Sequence, residues 1–102
     1  MRFQVRFTEE ARDDLQRLYD FALQPERGGW DLAERMLDAV VRAIAFLETS
    51  PFACRKVAGA DPFLRELLIG FGKDGYVALF EIEGPDTVTV LAVRHQREDD
   101  YH

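Results

Sequence analysis

The sequence is poor in cysteine and in long apolar runs, and each shortage excludes a class of protein. Its single cysteine, Cys54, excludes an internal disulfide and a metal site built from cysteines alone. The most apolar helical stretch, residues 39–47, is interrupted by Arg42, whereas a membrane span needs ~18 consecutive apolar residues. The first seven residues alternate between polar and apolar and lack the apolar core of a signal peptide. We therefore expect a cytoplasmic protein with no membrane segment, no cofactor and no metal.

Basic charge is also scarce. Acidic residues outnumber basic residues by 19 to 13, which gives a formal net charge of −6. Such a chain lacks the positive field that non-specific nucleic-acid binding uses, and we expect no direct sequence-specific binding to nucleic acid either. Only Lys56 and Lys73 are lysines, and the other basic residues are arginines, which pair with carboxylates through two hydrogen bonds. This balance favours a protein partner.

The chain has 102 residues, which are enough for one domain, residues 1–102. The spacing of its apolar residues changes from one segment to the next. Residues 2–7 alternate as a half-exposed strand does. Thr8 is the predicted N-cap of a first helix, with two glutamates in its first turn. Pro25 and the glycines after it end that helix.

A second helix is predicted from about Trp30 or Asp31 to Thr49, and Asp31 with Glu34 resembles a capping box. Its apolar stripe consists of Ala33, Leu37, Val40, Ile44 and Leu47, widened by Met36 and Val41. Because only about seven residues separate the helices, we expect them to form an antiparallel hairpin.

Three strands are predicted after a connecting loop at residues 51–62. They span residues 63–71, 76–83 and 87–93, and short glycine-containing turns join them, as in an antiparallel meander. The predicted class is α+β, in the order β-α-α-β-β-β. We expect an antiparallel sheet of four strands with the N-terminal helical hairpin packed on one face.

The last strand ends in a cluster of polar and aromatic side chains placed to contact a partner or a substrate. The cluster consists of Arg94, His95, Gln96, Arg97, Tyr101 and His102. Most of the chain before it can be explained by packing alone.

Three segments carry a resemblance to a known family. They are Phe63-Leu-Arg-Glu-Leu, then Phe71-Gly-Lys-Asp-Gly-Tyr-Val-Ala-Leu, and Val90-Leu-Ala-Val-Arg-His-Gln-Arg-Glu followed closely by Tyr101. With the order of elements, they resemble the ParE branch of the ParE/RelE toxin superfamily. The resemblance implies the toxin of a bacterial type II toxin–antitoxin pair, in a hetero-oligomer with a cognate antitoxin of the ParD-like, ribbon-helix-helix type. ParE-like members poison DNA gyrase, whereas RelE-like members cleave messenger RNA on the ribosome.

The two activities use the same residues differently. A gyrase poison needs no catalytic residue, and the expected target-binding residues are Arg65, Arg94, Gln96, Arg97 and Tyr101. A nuclease needs a base, an acid and a cation beside the phosphate. Its candidates are Glu66, His95, Tyr101 or His102 for proton transfer, and Arg65 and Arg94 as phosphate clamps. The acids Glu98, Asp99 and Asp100 would repel a polyanion there, so the gyrase poison is favoured and the nuclease remains the alternative. Asp99 and Asp100 also depart from the small residues that many ParE-like chains carry there.

Four aromatic residues are candidates for contact with the antitoxin. Phe21, Phe46 and Phe52 lie off the main helical stripes, so some of them should remain exposed beside a groove where a partner helix could bind. Trp30 either anchors the start of the second helix or faces the antitoxin.

The other candidates also have purely structural interpretations. Arg65 and Glu66 alternate faces of a strand, so either could be solvated or salt-bridged. Arg94 and Arg97 could pair with nearby acids, His95 could be a partly buried and satisfied side chain, and Tyr101 could pack on the sheet edge. Cys54 is interpreted as an incidental thiol.

Overall fold

The computed structural model describes residues 2–71 and 74–96 of the chain. The elements in chain order are β1 (Gln4–Phe7), α1 (Glu9–Leu23), α2 (Gly29–Thr49), a short 3₁₀ helix (Pro51–Ala53), β2 (Arg55–Lys56), β3 (Leu64–Phe71), β4 (Asp74–Glu83) and β5 (Thr87–His95). The predicted α+β class is confirmed, with a helical hairpin followed by a meander of three strands. No described helix has the length and apolar content that crossing a bilayer requires.

The sheet differs from the predicted one in two respects. It has five strands rather than the predicted four, in the order β1-β5-β4-β3-β2. The additional strand is β2, which lies within the predicted loop and pairs with β3. A two-residue strand is too short to show any hydrophobic period. The sheet is also mixed, since β1 runs parallel to β5 while β3, β4 and β5 are antiparallel.

The predicted cap of α1 is present in the structure, and the predicted cap of α2 is not. The hydroxyl of Thr8 accepts a hydrogen bond from the N–H of Ala11 at 3.0 Å, which confirms the predicted N-cap. By contrast, α2 begins at Gly29 after Gly28, and no side chain caps it, so the predicted capping box is wrong. The turn requires Gly28, whose φ is 150° and where a Cβ would lie 2.6 Å from the Cβ of Leu32.

The core lies between the helical hairpin and one face of the sheet. Its largest fully buried side chains are Phe80, Met36, Leu47, Val88, Val90 and Pro51. The predicted stripe of α2 is partly wrong, because Leu37 and Val41 are 41% and 64% exposed. Ala33, Met36, Val40 and Leu47 are buried as predicted, and Ala39 is buried although it was not part of the stripe. The core-facing side of the helix is therefore rotated toward Met36 and Ala39.

Helix α1 protects one edge of the sheet. Strand β1 ends where Phe7 pairs with Val90, so the rest of β5 has no neighbouring strand on that side. There the hydroxyl of Thr8 donates to the carbonyl of Leu91 at 3.3 Å, and the N–H of Val93 donates to the Asp14 carboxylate at 3.0 Å. Side chains of the helix and its cap thus replace the missing strand, which is one way in which proteins manage a sheet edge.

Gly75 lies in β4, opposite Gly70 of β3, and not in the turn that the sequence predicts. A Cβ on Gly75 would lie 2.3 Å from the carbonyl oxygen of Ile69, whereas a Cβ on Gly70 meets nothing within 4 Å. The two glycines therefore occupy facing positions with very different space around them.

Gly75→Ala is expected to destabilise the chain by about 1–3 kcal/mol, because the new methyl group forces β3 and β4 apart. Gly70→Ala is the matched control and should change stability by no more than about 0.5 kcal/mol. The midpoint of urea unfolding measures both. Equal midpoints for the two variants would contradict the close approach at Gly75.

Candidate functional site

Arg65 is buried and bound to the backbone of a neighbouring loop. Its side chain is 8% exposed, and its guanidinium donates to three backbone carbonyls. Nε donates to Pro62 at 2.7 Å, and Nη1 donates to Phe52 at 3.0 Å and to Cys54 at 2.9 Å. Arginine suits this position because its planar fork can satisfy several acceptors at once. The guanidinium holds the loop between α2 and β3, and the role of Arg65 at a target or a phosphate stays a prediction.

Cys54 lies beside this arginine and is buried. Burial raises the pKa of its thiol, and the positive charge of Arg65 only partly opposes that effect. The thiol therefore remains protonated near neutral pH, where the protonated form is a weak nucleophile.

Glu66 forms an ion pair with Arg55 of β2, with 3.0 Å between Arg55 Nε and the carboxylate. Only 16% of the Glu66 side chain is exposed. Successive residues of a strand point to opposite faces, so Glu66 and the neighbouring Arg65 cannot face one substrate together. The two candidate nuclease residues of β3 are thus separated by the strand itself.

Arg94 is held by α1. Its guanidinium forms an ion pair with Asp14, and the two side chains are 26% and 14% exposed. Asp14 also accepts the N–H of Val93, so one carboxylate binds two consecutive residues of β5. Within the described residues, the ion-pair partner of Arg94 is therefore Asp14 of α1, and its guanidinium also donates to the carbonyl of Val93 at 3.2 Å.

The last described residues differ in exposure. The ring of His95 is half-buried and lies edge-to-face against Tyr76, with centroids 5.7 Å apart and an interplanar angle of 86°. Gln96 is exposed, and its backbone N–H donates to the carbonyl of Gly75 at 2.8 Å. The candidates Arg97, Tyr101 and His102, with Asp99 and Asp100, lie outside the described residues.

The described nuclease candidates are each engaged by a different neighbour. Arg65 binds loop carbonyls, Glu66 binds Arg55, Arg94 binds Asp14 and His95 contacts Tyr76. Catalysis of RNA cleavage requires the base, the acid and the cation to converge on one phosphate. Within residues 2–71 and 74–96 no three histidine, cysteine, aspartate or glutamate side chains come close enough to hold a metal ion.

All four aromatic candidates for antitoxin contact are exposed. The exposed fractions are 47% for Phe21, 64% for Trp30, 42% for Phe46 and 51% for Phe52. The guanidinium of Arg27 lies 4.2 Å from the ring centroid of Phe21, which is a cation–π contact. Exposed apolar side chains mark a partner-binding surface when they form a contiguous patch.

The four aromatics do not form a single patch. Trp30 is the second residue of α2, while Phe52 follows the end of that helix, which at 21 residues is about 30 Å long. Phe52 belongs to a row of edge-to-face rings with Phe3 at 6.4 Å and Phe63 at 6.2 Å. A single partner could contact all of them only by extending along the helix.

A groove between α2 and β3 is a feature that the sequence-based candidates mostly missed. It encloses about 310 Å³, and its lining consists of Ala39, Arg42, Ala43, Phe46, Leu67, Leu68, Ile69 and Gly70. Phe46 is the one predicted residue among them, and Leu68 is 49% exposed. The sequence contains one sign of this exposed surface, the adjacent residues Leu67 and Leu68. Successive residues of a strand point to opposite faces of the sheet, so the two cannot both face the same core.

Asp14→Ala is expected to lower the free energy of unfolding by about 1–3 kcal/mol, because it removes the acceptor of the Val93 N–H and the ion-pair partner of Arg94. Asp13→Ala is the matched control, since Asp13 is exposed and adjacent. Urea unfolding followed by circular dichroism measures both variants. Equal stabilities would show that the Asp14 contact contributes nothing.

Arg65→Lys keeps the positive charge but replaces a fork with one ammonium group that cannot reach three separated carbonyls. We expect it to lower stability by at least about 1 kcal/mol, measured by thermal unfolding. Unchanged stability together with altered activity would instead assign Arg65 a direct role at a target.

Comparison with known proteins is consistent with this architecture. A sequence model of the family described as "ParE toxin of type II toxin-antitoxin system, parDE" matches residues 5–100. A solved chain of the chromosomal ParDE TA system from P. aeruginosa is similar in structure, with a TM-score of 0.69. The similarity covers 91% of this chain and 95% of that one at 18% sequence identity, which shows a shared fold. No curated protein is similar enough to count as a relative.

The family match covers the helices as well as the strands, whereas the sequence resemblance is most specific in the last forty or so residues. The predicted resemblance is thereby confirmed. The chain belongs to the family of ParE toxins of type II toxin–antitoxin systems.

Proposed function

We propose that this chain is a cytoplasmic toxin that stops growth by binding DNA gyrase, and that a cognate ParD-like antitoxin neutralises it in a hetero-oligomer. The observation that carries the proposal is the match to the ParE toxin family over residues 5–100. A gyrase poison requires a binding surface and no catalytic geometry.

The placement of the charged side chains supports binding over RNA cleavage. Arg65 is buried among carbonyls, and the carboxylate of Glu66 pairs with Arg55. To clamp a phosphate, Arg65 would have to break its hydrogen bonds to the loop carbonyls, and Arg94 would have to break its ion pair with Asp14. Each exchange would leave buried or half-buried polar groups without a partner, which costs free energy.

The proposed target contact is the segment that follows β5. Gln96 is its exposed first residue, and Arg97 and Tyr101 belong to the same proposal although they lie outside the described residues. Arg94 is retained as the residue that fixes the base of this segment through Asp14, and Arg65 stays a predicted member of the set. Arginine and tyrosine are favoured at interface hot spots.

The proposed antitoxin contact is the exposed aromatic surface. Phe21, Trp30, Phe46 and Phe52 are distributed along the helical hairpin and past its end. This distribution favours a partner that is extended and wraps the toxin over one that docks on a single spot. A small protein encoded by the neighbouring reading frame is the expected occupant.

Induction of the chain alone in a bacterial host is expected to stop growth, with filamentation and DNA-damage signalling while translation continues. Co-expression of the neighbouring small protein should restore growth. Addition of the purified chain to gyrase and DNA should raise the amount of gyrase–DNA cleavage complex, measured in a DNA cleavage assay. Glu66→Ala and His95→Ala should retain most of the toxicity, because neither has a chemical role in this mechanism.

Other outcomes would contradict the proposal in distinct ways. Arrest of translation with fragmented messages, abolished by Glu66→Ala or His95→Ala, would establish the RelE-like ribosome-dependent endoribonuclease. Overexpression that harms no host, from a chain that purifies as a well-behaved monomer, would contradict a toxin altogether.

A further inference from the structure

Three phenylalanine rings form a row across one end of the sheet, just past the end of α2. This aromatic row consists of Phe3 before β1, Phe52 in the 3₁₀ helix and Phe63 before β3. Its rings meet edge to face, at interplanar angles of 66° and 75°. Phe52 and Phe63 are half exposed, and Phe3 is partly buried. A row of touching rings offers several flat surfaces side by side.

The backbone that carries the two exposed rings is already fixed. The guanidinium of Arg65 lies 5.4 Å from the ring centroid of Phe52 and donates to the Phe52 carbonyl. The N–H of Phe63 donates to the Asp61 carboxylate at 2.7 Å, and the Phe63 carbonyl accepts from Ile82 at 2.9 Å. Because these residues are ordered before any ligand arrives, binding to their rings costs little conformational entropy.

Exposed cations lie at both ends of the aromatic row. Arg2 directly precedes Phe3 at the β1 edge of the sheet, and its side chain is largely exposed. Lys56 lies in β2 at the other edge, opposite Arg65, so the two side chains share a face. Lys56 is exposed and forms no ion pair with a described side chain. This lysine is therefore available to an anionic ligand.

The carboxylates near the row are already engaged. Glu48 accepts from Arg2 and is the less exposed partner of that ion pair. Asp61 accepts the N–H of Phe63, and Asp86, beside the start of β1, accepts the hydroxyl of Thr87 at 3.1 Å. The acids are thus held by neighbouring donors, whereas Lys56 is not.

Flat aromatic surfaces bordered by exposed cations match the chemistry of a single nucleic-acid strand. Bases stack on aromatic rings, and the phosphates between them lie beside lysine or arginine. Such stacking tolerates any sequence, because every base has an aromatic face. The aromatic row therefore agrees with the expectation that the chain has no sequence-specific nucleic-acid binding.

The net charge of −6 limits where such a strand can come from. Free nucleic acid is repelled by an acidic protein, so the row alone binds it weakly. A strand that another protein already holds next to the row is different, because its effective concentration there is high. The DNA in a gyrase cleavage complex is a strand held in this way.

We propose that the aromatic row binds a DNA strand held by gyrase in the cleavage complex. Bases stack on Phe52 and Phe63, and a backbone phosphate lies beside Lys56. This proposal rests on the proposed function in taking gyrase as the target, and it goes further by giving the toxin a direct contact with DNA. Because Phe52 also belongs to the proposed antitoxin contact, an antitoxin that covers it would exclude the strand as well.

Photo-cross-linking of the unmodified chain tests the contact directly. Gyrase is incubated with the purified chain and DNA that carries 5-iododeoxyuridine on both sides of the cleavage position, and cross-linked peptides are identified by mass spectrometry. Cross-links to Phe52 or Phe63 are expected with gyrase, and none with the same DNA in its absence. If the chain raises the amount of cleavage complex but cross-links at neither residue, the DNA contact is wrong and the proposed function stands. If it raises no cleavage complex, the proposed function fails and this proposal fails with it.

Substitutions at Phe63 separate stacking from simple apolar contact. Phe63→Trp keeps a flat ring, whereas Phe63→Leu keeps an apolar side chain without one. The leucine variant should need at least about fivefold more chain to reach half of the maximal cleavage complex, while the tryptophan variant should act like the parent. Val41→Ala, at an exposed apolar position of α2, is the control and should change nothing. Equal activity of the leucine and tryptophan variants would show that the row contacts protein, and would overturn the proposal.

A charge reversal covers the case in which Phe63→Leu unfolds, which circular dichroism reports. Lys56→Glu should raise the required concentration of chain by at least about threefold, since it places a carboxylate beside a phosphate. Arg12→Glu, at an exposed position of α1, changes the net charge equally and should have a smaller effect. Equal effects of the two reversals would overturn the phosphate contact at Lys56.

Discussion

The carboxylate of Asp14 is the contact that joins α1 to the end of the C-terminal strand. Strand β1 stops opposite Val90, and the residues of β5 beyond it would be an open edge. The N-cap at Thr8 starts α1 at the place from which Asp14 reaches the N–H of Val93 and the guanidinium of Arg94. One side chain thus connects the first turns of α1 to the edge of the sheet and to the start of the segment that follows β5. The β5 edge of the sheet is consequently protected by α1.

The parts of the fold that sequence could predict are those with a regular period. Two helices and four of the five strands were predictable, as was the cap at Thr8, because local spacing alone encodes them. The parallel pairing of β1 and the existence of β2 depend on where the chain returns after the helices, which no local pattern specifies. The exposure of Leu37 arises in the same way, since the rotation of α2 is set by the sheet beneath it.

The candidate site was less predictable than the fold because its residues are defined by distant partners. Arg65 is of a type that is mostly exposed, and its burial depends on carbonyls contributed by the preceding loop. Arg94 lies next to acids in sequence, yet its described partner is Asp14 on the first helix. The exposed aromatics were predictable in kind, because residues off a helical stripe are seldom buried, whereas the groove at Leu68 requires knowledge of which strand lies under α2.

The spacing of the exposed aromatic side chains has a consequence for how tightly any wrapping partner is held. Trp30 and Phe52 flank a helix of 21 residues, about 30 Å long. Once one end of such a partner is bound, the other end meets its contact at an effective concentration of about millimolar, so that individually weak contacts multiply. Dissociation then requires both ends to be released together. A single break in the partner's chain between the two ends would return each fragment to its own weak affinity.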